Sequence, residues 1–381
     1  MKQFLITAAG VFAGLVIFLV FVPVVLVTMA LSAAAPTPIP SKTVLELDLR
    51  GSLTDQAPRN PLWGLGRNSA SVMSIIETLR RAETDDRVKG VLLRLPENGV
   101  EPGMADEIRL GLAHFRASGK PVYAHSQGIY PAGVATTTYM LGRAADEFWM
   151  QPGSSLAVTG VATEELFLKR FFDKYGVVPQ FEQRQEYKNA VNTYTQSDFT
   201  GPHREATLSW MGSVYASNLA FAAVDRKADA ATLRQTLEAG PYGAEEALRL
   251  KLIDRVGQVR EAEQALLDKV GDGARTVSFD DYADDRRDRR PMGDSVALIE
   301  AEGPIVTGKD RGSNPFTGGA TIYSDDIARA IVRAGKTDSV KAIVLRVNSP
   351  GGSDTASEQI LDAVRFAKSK GQHVVVSMST Y

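Results

Sequence analysis

The stretch of this chain best equipped for chemistry is Asn348-Ser349-Pro350-Gly351-Gly352-Ser353. The proline fixes a turn, and the two glycines let the backbone approach a ligand closely because neither carries a Cβ. N–H groups of such a pair, aimed into a cleft, can hold the negative charge that develops on a carbonyl oxygen during acyl transfer, as in an oxyanion hole. The same six residues also make an ordinary strand-to-helix turn capped by Ser353, and on the residues alone both readings stand. Other chemistries are easier to exclude. The absence of cysteine removes disulfides, thiolate metal sites and a cysteine nucleophile. The four histidines, His114, His125, His203 and His373, lack His-x-x-x-His spacing and read as surface or packing residues, so neither a metal site nor a cofactor is expected. A formal charge of −2 over 381 residues gives no general pull toward a polyanion, and no nucleic-acid partner is expected.

The elements that must hold this loop follow from hydrophobic pattern. Ala342–Val347 is a continuous apolar run, read as a buried strand, and Ala356–Lys368 has the 3–4 spacing of a helix. The same pattern occurs earlier. Val88-Lys89-Gly90-Val91-Leu92-Leu93-Arg94-Leu95 aligns with Val340-Lys341-Ala342-Ile343-Val344-Leu345-Arg346-Val347 at an offset of 252 residues. That offset also pairs Val44 with Val296, Gly51 with Gly303, Ile75 with Ile327, Ile108 with Ile360 and Gly119 with Gly371, without a gap. The chain is therefore read as a tandem duplication of one α/β unit. Each copy is expected to run strand (Val44–Leu49; Val296–Ala301), helix (Val72–Ala82; Asp325–Ala334), strand (Val88–Leu95; Val340–Val347), helix (Met104–Ala117; Ala356–Lys368) and strand (Pro121–His125; His373–Met378). Such alternation means parallel strands with crossover helices. The first copy continues through a strand at Asp146–Met150 into a helix-rich tract from about Glu164 to Val270. At the position of the glycine pair it has Pro96-Glu97-Asn98-Gly99-Val100, so an oxyanion hole is expected in the second copy alone.

A composition of 44% hydrophobic and 23% charged residues is that of a globular protein, and the length is enough for more than one unit. Phe4–Leu31 carries no charge and only Thr7 and Thr28 interrupt its apolar run, which reads as a membrane anchor within residues 1–35. Ala33-Ala34-Ala35 resembles a signal-peptide cleavage site, which is the competing reading. Lys2 before the span places the N-terminus in the cytoplasm and the rest outside. The first repeat is assigned to residues 42–280, a charged linker to 281–293 and the second repeat to 294–381. The second copy reaches Tyr381 at the end of a strand, where the first copy continues for over a hundred residues. It is read as incomplete, with this chain a fragment or truncated product.

At this point a resemblance becomes specific. Lys341–Ser353, followed by Thr355-Ala356-Ser357-Glu358, resembles the corresponding stretch of the SppA signal peptide peptidases, and Val374-Val375-Val376-Ser377-Met378 is similar to that family as well. These are Clp/crotonase-fold serine peptidases, and their long form has two repeats behind an N-terminal anchor. The resemblance runs along nearly the whole chain. It implies tandem Clp/crotonase-like repeats, a serine nucleophile, and a lysine general base on the first repeat. The matching lysine is Lys188, in Tyr187-Lys188-Asn189-Ala190-Val191, with Gly351 and Gly352 as oxyanion-hole donors. Taken alone, Lys188 is one of 43 Lys and Arg residues and reads as a solvated cation. As a base it must be held neutral, which takes burial among apolar groups. The family continues after Ser-Met with a glycine pair and Met-Ala-Ala-Ser-Gly-Gly, whose serine is the nucleophile. Here Ser379-Thr380-Tyr381 follows, so the nucleophile is expected just beyond Tyr381 and residues 1–381 are expected to be inactive. Implied partners are signal peptides and other hydrophobic peptides, the lipid bilayer, and further copies of the chain as a homo-oligomer, a tetramer by resemblance. The implied location is the inner membrane with the folded part on the periplasmic side. Two other functions remain open: a crotonase-like acyl-CoA enzyme, and a non-catalytic membrane-bound scaffold.

Overall fold

The first folded strand, β1 (Thr43–Asp48), is almost wholly buried, as its run of apolar residues requires, and the rest of the first copy grows around it. The structure, a computed structural model, describes residues 2–33, 38–56, 70–284, 293–310 and 320–379. Ahead of β1, helix α1 (Lys2–Ala33) contains a 24-residue stretch, Lys2–Val25, of mean hydropathy 2.8, none of it buried against the folded part. At 1.5 Å per residue it spans about 36 Å, enough to cross a hydrocarbon core of roughly 30 Å.

In copy one, α2 (Val72–Thr84), β2 (Val88–Leu95), α3 (Pro102–Ala117), β3 (Val122–Ser126), α4 (Ala135–Arg143) and β4 (Glu147–Met150) follow β1. The short helix α5 (Lys169–Tyr175) and the long α6 (Gly201–Asp225) lead to β5 (Arg255–Val256), α7 (Val259–Val270), β6 (Arg275–Ser278) and α8 (Phe279–Asp284). The six strands form one sheet in the order β6-β1-β2-β3-β4-β5, parallel throughout. Both faces are covered, as an all-parallel sheet requires. Leu45, Leu93, Ile75, Ile108 and Phe115 pack on one side, while Val44, Leu92, Tyr123 and Trp149 meet Ala262 and Leu266 of α7 on the other.

Copy two repeats the design with β7 (Ser295–Glu302), α9 (Ser324–Gly335), β8 (Val340–Asn348), α10 (Asp354–Ser369) and β9 (His373–Met378), whose strands lie parallel in the order β7-β8-β9. The duplication extends to register. Val44 pairs with Gly90 and Val296 with Ala342, and both pairs follow the same shift at the preceding residue. Likewise Val91 faces Val122, and Ile343 faces Val374. One sheet face of copy two has its helices, with Ile343, Leu345, Ile327, Ile331, Ala363 and Ala367 in a common core. The other face leaves Val296 and Val375 exposed, at positions whose copy-one counterparts are Val44 and Tyr123 beneath α7.

Two sequence boundaries move. The first unit extends to Asp284 rather than stopping at 280, because Phe279, Tyr282 and Ala283 are buried in its core, so the proposed linker loses its first residues. Residues 285–292, which hold most of that linker, lie outside the described residues. The tract from Glu164 is also less helical than its composition implied. Residues 176–188 form no regular element, and Val178, Phe181 and Tyr187 are exposed where a helix would need a buried stripe.

Candidate active site

Strand β8 ends at Asn348, and the chain turns there into α10. The turn is built by a short pairing with the segment after β7. Gly303 N–H donates to Asn348 O (2.9 Å), Ile305 N–H donates to Gly351 O (2.9 Å), and Ser353 N–H donates to Ile305 O (2.9 Å). This brings the backbone of Ile305 against Gly352 so closely that a Cβ there would lie 2.1 Å from Ile305 O. Gly351 has φ +101°, a conformation that residues with a Cβ rarely adopt. Both glycines are therefore required, each for a different reason. Ser353 accepts a hydrogen bond from Ala356 N–H (3.3 Å) and caps α10, so the turn reading of this loop holds as far as it goes.

The two glycine N–H groups are not equivalent. Gly351 N–H donates to Ser349 Oγ (3.1 Å) and is turned into the loop. Gly352 N–H donates to no group among the described residues, and Asn348 Oδ1, buried at the start of the loop, also lacks a partner there. The loop thus offers one open backbone donor at the C-terminal end of a parallel strand, where α/β sheets characteristically bind ligands. The copy-one counterpart has Gly99 at φ +96° and opens on a cavity of about 520 Å³ lined by Leu49, Arg50, Glu97, Asn98, Met104 and Gln127.

Lys188 lies on copy one, immediately before a single 3-10 turn, Asn189–Val191, and it is exposed. Its N–H donates to Gln185 O (3.3 Å), and its carbonyl accepts from Gln183 Nε2 (2.8 Å). Tyr187 Oη donates to Glu205 Oε2 (2.9 Å) on α6. Lys188 makes no hydrogen bond or ion pair with the 348–353 loop, and the apolar burial that a neutral amine requires is absent around it in the single chain.

What pattern reading missed is an ionic cluster that ties the copies together beside this loop. Arg346, two residues before Asn348 on β8, donates from Nε and Nη2 to both carboxylate oxygens of Asp55 (2.9 and 3.0 Å) and from Nη1 to Glu107 Oε1 (2.5 Å) and Ser377 Oγ (2.8 Å). The side chains of Arg346 and Asp55 are only 4% and 2% exposed. Asp55 and Gln56 in turn donate their N–H groups to the Glu302 carboxylate (3.3 and 3.0 Å). Burial pushes the Glu107 carboxyl above the usual range, with Arg346 opposing that shift. In copy one the equivalent Arg94 pairs within its own sheet, with Glu46 (2.9 Å). Copy two has Leu298 in place of Glu46, which leaves Arg346 to its partners on copy one.

Comparison with known proteins agrees with this architecture. Residues 114–291 match the Peptidase family S49 model and residues 320–380 the Clp protease model. Protease 4 of Salmonella typhi is 31% identical over 364 residues, which cover 89% of this chain and 56% of that protein. Protease 4 of Haemophilus influenzae is 28% identical over 393 residues, covering 95% of this chain and 62% of that protein. The chloroplastic serine protease SPPA of Arabidopsis thaliana is 24% identical over 344 residues, covering 88% and 49%. The chain thus spans roughly half the length of these relatives. Parallel α/β units with a glycine-paired loop after a buried strand place it in the Clp-like class of folds. Within that class, residues 114–291 match Peptidase family S49, and the chain is similar over most of its length to Protease 4 and to the chloroplastic protease SPPA.

Proposed function

We propose that this chain is the membrane-anchored part of a Ser/Lys endopeptidase that degrades cleaved signal peptides and other hydrophobic peptides. The observation that carries the reading is the 348–353 loop, with its unpaired Gly352 N–H at the C-terminal end of β8. In this mechanism a serine attacks the scissile carbonyl, Lys188 takes the serine proton, and the Gly352 N–H donates to the oxyanion. The Gly351 N–H joins it on release from Ser349 Oγ. By the family resemblance the serine lies about three residues past Tyr381, and no serine in residues 1–381 is assigned that role. Lys188 becomes a competent base when further copies of the chain cover it, which agrees with the exposed Val178, Phe181 and Tyr187 nearby. Helix α1 holds the protein in the inner membrane, with the folded units on the periplasmic side.

Fluorophosphonate labelling and hydrolysis of a model signal peptide test this reading. A protein that carries the serine-bearing segment after Tyr381 is expected to label and turn over, and Lys188→Ala in it to lose activity by at least a hundredfold while still assembling. Residues 1–381 alone are expected to do neither. Stoichiometric labelling of residues 1–381, accompanied by hydrolysis, would show that the nucleophile has been misplaced.

A further inference from the structure

The turn that carries Lys188 is held from behind by a buried histidine. His203 lies in the first turn of α6, with its side chain 5% exposed. Its Nε2 is 3.1 Å from Glu165 Oε2 and its Nδ1 is 3.4 Å from Asn192 Nδ2. Asn192, itself 1% exposed, directly follows the 3-10 turn that begins after Lys188. An amide N–H can donate to Nδ1 only if that nitrogen is unprotonated, so the ring carries its proton on Nε2 and donates it to Glu165. The resulting chain runs from Asn192 through His203 to Glu165, against the rings of Phe167 and Phe199, which also pack on each other. Leu168 N–H donates to Thr193 O (2.7 Å) and ties the same two segments a second time.

A cage of two phenylalanines could be filled more cheaply by an apolar residue. A buried polar chain incurs a desolvation cost and in return favours the geometry in which its members are paired; Asn192 Nδ2 also reaches Thr200 Oγ1 (3.5 Å) at the start of α6. Independent backbone geometry points the same way. Gln185, three residues before Lys188, is a non-glycine residue at φ +69°, a strained conformation that persists only where its surroundings enforce it. The Gln183 and Gln185 bonds to the Lys188 backbone do that enforcing.

We propose that His203 is a positioning residue for Lys188: the Glu165–His203–Asn192 chain fixes the turn from which the lysine side chain extends. The proposal rests on the reading of Lys188 as the general base, and it assigns His203 no contact with substrate.

Cleavage of the native full chain by a lysine-specific endoprotease separates the two claims. The Lys188–Asn189 bond reports the turn, and the Lys89–Gly90 bond, inside β2, reports unfolding of the whole first copy. His203→Ala is expected to speed cleavage after Lys188 at least tenfold with cleavage after Lys89 unchanged. His203→Gln, which keeps a donor for Glu165, should restore most of the protection. In the form bearing the serine, His203→Ala should lower kcat about tenfold or more with KM unchanged, and His203→Gln should recover much of it. An unchanged rate after Lys188 in His203→Ala overturns the proposal. So does equal acceleration at both bonds in both variants, which would make His203 a packing residue and nothing more. If Lys188→Ala retains full turnover, the base assignment fails, and the ratio of the two cleavage rates still decides whether His203 orders the turn.

Discussion

A buried imidazole is a statement about protonation before it is one about function, and His125 is the plainer of the two buried histidines. It is 1% exposed on β3, with Nε2 3.1 Å from Gly257 O and Nδ1 buried without a partner. The carbonyl takes the Nε2 proton, and a second proton on Nδ1 would be a buried charge with nothing to accept it. Burial accordingly pushes its pKa from 6.5 down to about 4, and the nearby Arg94 and Arg50 push the same way. The sign of the linkage follows. With the folded value below the unfolded one, the stabilisation is full above pH 6.5 and is lost as pH falls toward 4. Its size is on the order of 3 kcal/mol. Thermal melts of the first copy should therefore fall in midpoint between pH 6.5 and pH 4, and His125→Gln should flatten that slope. An unchanged slope would mean that the ring gains a proton without penalty. Nothing in the sequence distinguished His125 and His203 from His114 and His373, because a lone histidine shows no period. The 348–353 loop, by contrast, was legible as a tight glycine-dependent turn. Which of its N–H groups stays open was not, since that depends on where the Ser349 hydroxyl points.

At the scale of elements, the strands and helices of both copies were readable because two signals agreed: apolar periodicity within each segment, and recurrence at 252 residues. β5 and β6, of two and four residues with exposed positions among them, lack the apolar run that marks a strand and went unread. The contact between copies was unreadable for a different reason. Asp55 and Arg346 are 291 residues apart, and only the folded sheets bring them together. The one hint was negative: Leu298 stands where symmetry with Glu46 would put a carboxylate beside the arginine. A buried pair of this kind is costly to break and cheap to replace. Asp55→Ala leaves the Arg346 guanidinium facing Glu107 and Ser377 alone, and should cost about 3–5 kcal/mol. Replacing both partners, as Asp55→Leu with Arg346→Met, should cost far less. Denaturant titration of the three proteins checks the ordering. If the double variant is no more stable than Asp55→Ala, the cluster is not acting as a paired unit.

For the whole molecule, the two copies differ in what their sheets leave uncovered, and this sets how each behaves alone. Copy one has a six-stranded sheet with both faces covered, so residues 42–284 contain every buried member of its core clusters, with Ile39 packed against them from just before. Among the described residues of copy two (293–310 and 320–379) the main sheet has three strands, and Val296, Leu298, Val375, Val376 and Met378 are at least 38% exposed. At about 25 cal/mol per Å², uncovered side chains of this size forgo roughly 1–2 kcal/mol each, a large share of a small unit's net stability. The Arg346 cluster on copy one offsets part of that loss only while both copies are joined. Residues 42–284 expressed alone should therefore melt in one cooperative transition. Residues 293–381 alone should show no such transition and should bind a hydrophobic dye. In the joined chain, trypsin is expected to cut first after Arg286, Arg287 or Arg289, in a stretch with no apolar residue to bury. Copy-two fragments should then disappear before those of copy one. A cooperative melt from residues 293–381, or a first copy that is digested as fast as the second, would mean that the uncovered face costs little and that the copies are equally self-sufficient.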